Sequence, residues 1–411
     1  MFFLILRTLR QHRWFALLGA ALLLSSVGNG LTYVIVFGKL LALEAKPSVL
    51  TFAYILALAP GFPGSYLAEK LLTKIEPIPV MILCEIIGLT GLTLPAWSLF
   101  NDNLILLLSS QAVAAFAGGM MVPVLSQTLK SGLKPAELPA ASGLETFIFA
   151  ANVILGIGIG TLLYGHVAAS VILTLDAISF ILGIILLFAA NRAYRPVCTP
   201  ESGAVLSHLN WRELTQIQRR SLLFLPVIAF VGAPAMALLP ALAPNFSGQT
   251  SDSGLMLLLA RSVGQLIGPL LLSEKQLQRH TGKLNVLILS LVLFICCYVL
   301  VSITDKPWLA MLLIVLAHIF TNIVYALATL NIMQTFPASI TGRAMAKAWR
   351  TQLIVTLIVP VIAGIAADTY DPVWVLYLSS GGGFAVMICV LAANHFVGRR
   401  EGTALNLKKS G

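Results

Sequence analysis

Charge is what this chain has least of. Asp, Glu, Lys and Arg make up 10% of its 411 residues, where a soluble domain carries about 25%. Hydrophobic residues supply 58%, and mean hydropathy is +0.93. That balance excludes a soluble globular chain and predicts a polytopic membrane protein. Cysteine is scarce as well. The five cysteines, Cys84, Cys198, Cys296, Cys297 and Cys389, lie mostly in apolar runs without a CxxC pair, which argues against a disulfide framework or a metal knuckle. No phosphate-binding loop, HExxH or GxSxG occurs, so neither an enzyme nor an ATP-driven pump is supported, and no cofactor or metal is expected. A small-residue cleavage site is missing after the apolar run from Trp14, and Arg7, Arg10 and Arg13 follow FFLIL. The first span is therefore expected to be retained rather than removed as a signal.

Apolar runs are what the chain has in abundance. A spanning helix needs roughly 20 mainly apolar residues, and twelve such segments can be drawn: 14–42, 48–72, 78–99, 103–129, 141–165, 167–190, 222–243, 253–273, 284–304, 307–335, 347–369 and 373–396. The longest polar interval, Asn191 to Arg220, holds Pro196, Pro200, Gly203 and a short amphipathic piece around Trp211. It divides the chain into a six-helix bundle over 1–190, a linker over 191–220, a second six-helix bundle over 221–397 and a tail over 398–411.

The net charge of +10 suits nucleic acid only in a soluble chain. Here all but four of the 26 Lys and Arg residues fall on one side of the twelve-segment topology, the exceptions being Lys39, Lys46, Lys306 and Arg261. The positive-inside rule then places both termini and the linker in the cytoplasm.

The two halves repeat each other. Pro60 to Lys74 (PGFPGSYLAEKLLTK) reads as a charged turn between segments, and Gly268 to Lys283 (GPLLLSEKQLQRHTGK) is a weaker copy. Gln127-Thr128 is matched by Gln334-Thr335, and Glu145-Thr146 by Arg350-Thr351. Parallel six-helix repeats with a site at their interface are a transporter architecture.

Several stretches together resemble a known family. They are Gly64, Leu67, Ala68, Glu69, Lys70 and Lys74 in the first charged turn, Leu138 to Leu144 (LPAASGL), the glycines from Gly156 to Gly160, Asp176 to Phe180 (DAISF), and Met333-Gln334 with Pro337, Gly342 and Arg343. They resemble the major facilitator superfamily over nearly the whole chain. Within it the chain most resembles the bacterial drug:proton antiporter branch that includes macrolide exporters, the enterobactin exporter and the lysophospholipid transporter. The resemblance implies an all-α fold of twelve transmembrane helices as two pseudo-symmetric six-helix bundles around a central cavity, in a bacterial inner membrane, acting as a monomer. Two departures stand out. Thr73 occupies a position where that family has a basic residue. Val27-Gly28-Asn29-Gly30 carries an asparagine where the branch often has an acid, so proton coupling, if present, uses another group.

Polar residues inside the spans are the candidate site. Arg261 follows LMLLLA in the eighth segment. A cation at bilayer depth is costly and normally faces a cavity or a partner. Its guanidinium fork suits a carboxylate or phosphate, although a structural ion pair would satisfy it too. Gln265, one turn along, shares its face. Asn29 with Tyr33, Asn152, and Asn322 with Tyr325 are read as cavity residues or as helix–helix hydrogen bonds. Glu145 is the proton-coupling candidate, or else part of an ion pair with Lys130, Lys134 or Arg350. Glu85, Asp176 and His318 are read as structural. The glycines of the fifth segment and Gly381 to Gly383 are read as close packing, and prolines 226, 234, 240 and 244 as kinks in the seventh. By the same resemblance, the cytoplasmic gate comprises Gly64, Glu69, Lys70, Glu274, Lys275, Arg343 and Arg350. Glu69 is expected at the start of the eleventh segment near Arg343, and Glu274 at the fifth, each by the helix dipole.

The reading is a secondary active exporter of a small amphipathic, anionic compound such as a siderophore or a drug, with protons as coupling ion. A lysophospholipid flippase is an alternative. A ferroportin-like metal exporter needs ligands that Asn29 and the ligand-poor seventh segment do not supply. A non-transporting receptor or scaffold lacks the expected soluble domain. The sequon Asn245-Phe246-Ser247 carries no meaning in a bacterial chain.

Overall fold

The protein is described by a computed structural model over residues 2–42, 55–101, 103–197, 209, 211–239, 250–367, 369–371, 373–389 and 392. Lys46, Cys198, Pro240, Pro244, the sequon at 245–247, residues 198–208 and 210 of the linker, the 398–411 tail and the side chain of Glu274 lie outside the described residues.

The described chain is helical. In order it forms α1 (Phe2–Gln11), α2 (Arg13–Ala42), α3 (Gly61–Leu71), α4 (Pro77–Gly91), α5 (Thr93–Asn101), α6 (Leu104–Gly132) and α7 (Leu138–Ala151). A π-helical turn (Asn152–Ile157) then leads into α8 (Gly158–Leu163) and α9 (Ala169–Ala193). The remainder is α10 (Gln216–Leu238), α11 (Thr250–Leu270), α12 (Glu274–His280), α13 (Leu284–Ile303), α14 (Pro307–Thr335), α15 (Ala338–Ala367) and α16 (Val373–Cys389). Among the described residues, 8 helices are long and apolar enough to cross a membrane, α4 and α5 counting together. The other expected segments correspond to α3, the α7–π–α8 run, α11 and α16.

Local sequence sets the helix ends. Asn103 caps α6, its side chain accepting from the backbone N–H of Ile105 at 3.0 Å and of Leu106 at 3.3 Å. Thr215 with Gln218 and Ser273 with Gln276 form capping boxes at α10 and α12, satisfying first-turn amides that have no helical partner. Gly165 (φ 82°) and Gly282 (φ 73°) turn the chain into α9 and α13, through left-handed backbone that costs glycine little.

Two differences from expectation concern the charged turns. Residues Gly61 to Leu71 continue as helix, so the turn proper shrinks to the few residues before Pro77. The copy in the other half instead folds residues 274–280 into a separate short helix. Glu69 therefore sits in the last turn of α3, whereas Glu274 begins a new helix. Trp211 lies in a turn rather than an amphipathic helix; Lys347 lies over its ring and donates to the Leu209 carbonyl at 2.7 Å. Helix α10 runs unbroken through Pro226 and Pro234.

The core divides along the chain. One apolar cluster draws almost wholly on residues from Leu214 to Met387, and another on Ile5 to Tyr194, with Leu277, Leu327, Leu330 and Met333 reaching in from the second half. Small residues allow the closest helix approaches. A Cβ on Gly30 would stand 2.6 Å from the Asn152 carbonyl oxygen, and one on Gly156 2.6 Å from that of Val27. On α11, Gly264 and Gly268 form a GxxxG face against α14, where a Cβ at Gly268 would stand 2.7 Å from the Ile319 oxygen. Such stripes permit van der Waals packing between helices that have no hydrophobic drive to associate in lipid. Gly383 meets Phe230 in the same way, but nothing lies within 4 Å of a Cβ on Gly158, Gly381 or Gly382. For those three glycines the packing role is corrected.

Candidate transport site and gate

The halves meet along α3, α6 and α7 on one side and α11, α14 and α15 on the other. The side-chain bonds across this seam gather at the basic ends of the helices. Ser142, near the start of α7, donates to the Ala326 carbonyl of α14 at 2.6 Å and lies 2.8 Å from the Thr329 hydroxyl. Arg350 of α15 donates through Nη2 to Oε2 of Glu69 on α3 at 2.8 Å, with Nη1 3.5 Å from Ser65. Around the pair, Tyr66 offers its ring to Lys70 at 4.6 Å and to Arg350 at 5.8 Å. Gly64 and Gly61 let α3 lie directly on α6, and Gly342 sits where a Cβ would stand 3.0 Å from the Pro123 carbonyl. From the second half, α12 sends Leu277 fully buried into the first half's core, while Lys275 stays exposed.

This arrangement joins the expected gate residues Gly64, Glu69, Lys70 and Arg350 and corrects one partner. Glu69 meets Arg350, two helical turns beyond Arg343, and the interaction is an ion pair between side chains rather than a carboxylate on a helix N-terminus. Arg343 has an interaction of its own. The sequence marks Ser142 as a cross-seam donor by nothing more than a small hydroxyl residue in LPAASGL.

Deeper in, α7 and the π-helical turn approach α11. Glu145 accepts a hydrogen bond from Ser126 of α6 at 2.8 Å and lies within electrostatic reach of Tyr325. It does not pair with Arg350, which is taken by Glu69. Lys134 is also placed elsewhere, beside Glu137. On α11, Arg261 is half-buried, and its Nε is buried without a hydrogen-bond partner. Gln265 is 4% exposed, and its Oε1 is likewise unpartnered. Arg261 stands within electrostatic reach of Tyr298 and His318. His318 takes Tyr298 at 2.9 Å on one ring nitrogen and leaves Nδ1 buried and unpartnered. Buried polar atoms left open are uncommon in folded proteins, so this cluster of donors and acceptors is the part of the span best prepared for a ligand.

Three asparagines expected to line the cavity are tied to backbone instead. Asn29 donates to the Ser25 carbonyl at 2.9 Å, Asn152 to the Ser26 carbonyl at 2.8 Å, and Asn322 to the His318 carbonyl at 3.2 Å. Asn152 thereby pins the start of the π-helical turn to α2. Tyr33 is half-buried and engaged. Glu85 and Asp176 form a buried polar seam among α2, α4 and α9. Ser25 donates to Glu85 at 3.0 Å, and Thr32 and Ser179 donate to Asp176. Gly28 leaves the room that the Asp176 carboxylate occupies, which gives the DAISF stretch a packing role.

Outside the spans, His12 lies 2.9 Å from Glu137. Burial alone would raise the Glu137 carboxyl, but the hydrogen bonds from His12 and the Lys134 amide, with the charges of both residues, hold it below its ordinary value.

Comparison with known proteins follows the same lines. Residues 14–349 match the Major Facilitator Superfamily. A stretch of 67 residues is 52% identical to an uncharacterised 29.9 kDa protein of Pseudescherichia vulneris, covering 16% of this chain and only 25% of that relative. Among solved structures, a bacterial homologue of the iron transporter ferroportin in an outward-facing state has a TM-score of 0.70 at 15% identity, over 93% of this chain and 99% of the other. The human organic anion transporter MFSD10 gives 0.67 at 14%, over 92% and 98%. The transporter FucP in its outward conformation gives 0.68 at 15%, over 92% and 98%. At these identities the likeness is one of fold.

Proposed function

Because the chain belongs to the Major Facilitator Superfamily, a family of membrane transporters of small molecules, we propose that it is a secondary active exporter of a small amphipathic anion, driven by protons and working by alternating access. The observation that carries the anionic cargo is the open polar cluster on α11 and α14: Arg261 Nε, Gln265 Oε1 and His318 Nδ1 are buried in the span without partners. A guanidinium with an unsatisfied edge offers a carboxylate the donor it wants. That a human organic anion transporter shares the fold is in keeping with this cargo. Glu145, held by Ser126 at the seam, is the proton carrier in this reading.

The direction of charge supports the orientation. With the basic ends cytoplasmic, the Glu69–Arg350 pair and the Ser142 bonds form the inner gate. Rocking one bundle against the other breaks them and opens the pathway inward. The drug:proton antiporter branch, a bacterial inner-membrane location and a monomeric state belong to the same proposal. A metal cargo is the second reading: a bacterial homologue of the iron transporter ferroportin shares the fold, but Asn29 stands where an acid would serve as ligand and α10 carries no Asp, Glu, His or Cys.

The test is transport in proteoliposomes of a carboxylate siderophore, a lysophospholipid and a lipophilic cation side by side. The account expects the carboxylate to move, Arg261→Ala to abolish that movement, and Arg261→Lys to retain part of it. Unchanged carboxylate transport by Arg261→Ala, or movement of the lysolipid or the cation alone, refutes it.

A further inference from the structure

One element has no part in the pathway. Helix α1 lies before the first span and packs on α2 and on α7. Its inward face buries Ile5 and Thr8. Its outward face presents Phe3, 85% exposed, with exposed Arg7 and Arg10 at four and seven residues beyond. Phe3, Arg7 and Arg10 therefore share one stripe. Exposed Arg13 follows at the head of α2.

The surroundings add cations and remove anions. No acidic residue occurs before Glu44. Glu137, which stands beside the α1–α2 junction, is engaged by His12 at 2.9 Å and by the Lys134 amide at 2.9 Å. Lys134 itself is exposed. Trp14 packs edge-on against Tyr194 at 5.0 Å, which brings the end of α9, with exposed Arg192 and Arg195, to the same side. The His12–Glu137 pair also fastens the α1–α2 junction to the turn before α7, so the stripe is presented by a fixed element.

We propose that α1 and its flanking cations form a docking surface for anionic phospholipid headgroups. A short helix carrying apolar and basic side chains at a bilayer surface lies in the interfacial plane, its apolar groups toward the acyl boundary and its cations toward the headgroups. There, Phe3 enters the acyl boundary while Arg7 and Arg10 meet phosphate, and clusters of basic residues beside a span select anionic lipid. The charge is complementary, Phe3, Arg7 and Arg10 are exposed, and their place beside the first span puts them at headgroup depth.

The experiment is native mass spectrometry of the full-length protein in detergent, titrated with phosphatidylglycerol or phosphatidylcholine. The wild type is expected to retain phosphatidylglycerol preferentially. Arg7→Gln/Arg10→Gln is expected to lower that retention about thirtyfold, on the order of fivefold for each cation removed. Arg7→Lys/Arg10→Lys should keep the preference, because charge carries it, and Lys306→Gln on the opposite side should leave it unchanged. Both arginines are exposed, so an unaltered thermal midpoint is expected to accompany the loss. Equal retention of the two lipids by the wild type overturns the proposal, as does an undiminished preference in the double glutamine variant. Displacement of the lipid by millimolar glycerol phosphate would assign the surface to a soluble anion and overturn it as well.

Discussion

Breaking the Glu69–Arg350 pair should open the basic end of the seam. The pair is 2.8 Å long, and its side chains are only 16% and 22% exposed. Its worth therefore lies between that of an exposed pair, about 0.2–1 kcal/mol, and the roughly 3–5 kcal/mol lost when one partner of a fully buried pair is removed. About 1.5 kcal/mol is a reasonable middle, which corresponds to roughly tenfold in the ratio of open to closed gate. Leu330 reports on that ratio: it is fully buried in the first half's core although it belongs to α14. In a background with the native cysteines replaced by serine, a maleimide should modify Leu330→Cys about ten times faster when Glu69→Gln is added. Arg350→Gln should act equally, and the two together should add little more, since each removes the same interaction. An unchanged labelling rate in both single variants would refute the latch. So would a double variant whose effect is the sum of the two.

Other perturbations bear on the packing and the polar network. Gly156→Ala would place a Cβ 2.6 Å from the Val27 oxygen, so a loss of about 1–3 kcal/mol is expected; Gly158→Ala, with open space around it, should change the thermal midpoint little. Tyr298→Phe removes the 2.9 Å bond to buried His318 and should cost about 1–3 kcal/mol through the unpaired ring nitrogen, read as a lowered midpoint in the same detergent. Glu137 sits below its ordinary value, so its contribution is complete above the unfolded-state value of about 4.3 and fades as pH falls through the lower folded value. The midpoint difference between wild type and Glu137→Gln should accordingly shrink toward zero on acidification from pH 5, and a difference that grew would contradict the assigned sign.

The fold was legible because bilayer thickness imposes it on sequence. Runs of apolar residues near the spanning length and a one-sided distribution of Lys and Arg are properties of the chain itself, and helices lie where those runs do. Motif positions such as Glu69 and Arg350 were also legible as candidates for a gate. Their pairing was not. A helix fixes the spacing of Arg343 and Arg350 but leaves open which one meets α3, because that depends on how far α15 slides along α6. The asparagines illustrate the same limit. Asn29, Asn152 and Asn322 lie at cavity depth by sequence, yet each is consumed by a backbone carbonyl one turn away or across the Gly30–Gly156 contact. The π-helical turn after Asn152 left no mark in the apolar pattern, since a one-residue change of register there leaves composition untouched. Glu145 was visible as a partly buried acid; its hydrogen-bond donor, Ser126, was not, because serine is common in such helices.

The claim at the centre of this account is that an ion gradient, with no nucleotide, drives an anion through a pathway that includes Arg261. Purified protein reconstituted into sealed liposomes, with a proton gradient imposed and a fluorescent carboxylate as cargo, tests it most directly. The account predicts movement of the carboxylate that requires the gradient, stops on addition of a protonophore and is absent in Arg261→Ala. Movement that persists after the gradient is collapsed, or is equal in Arg261→Ala, would contradict it.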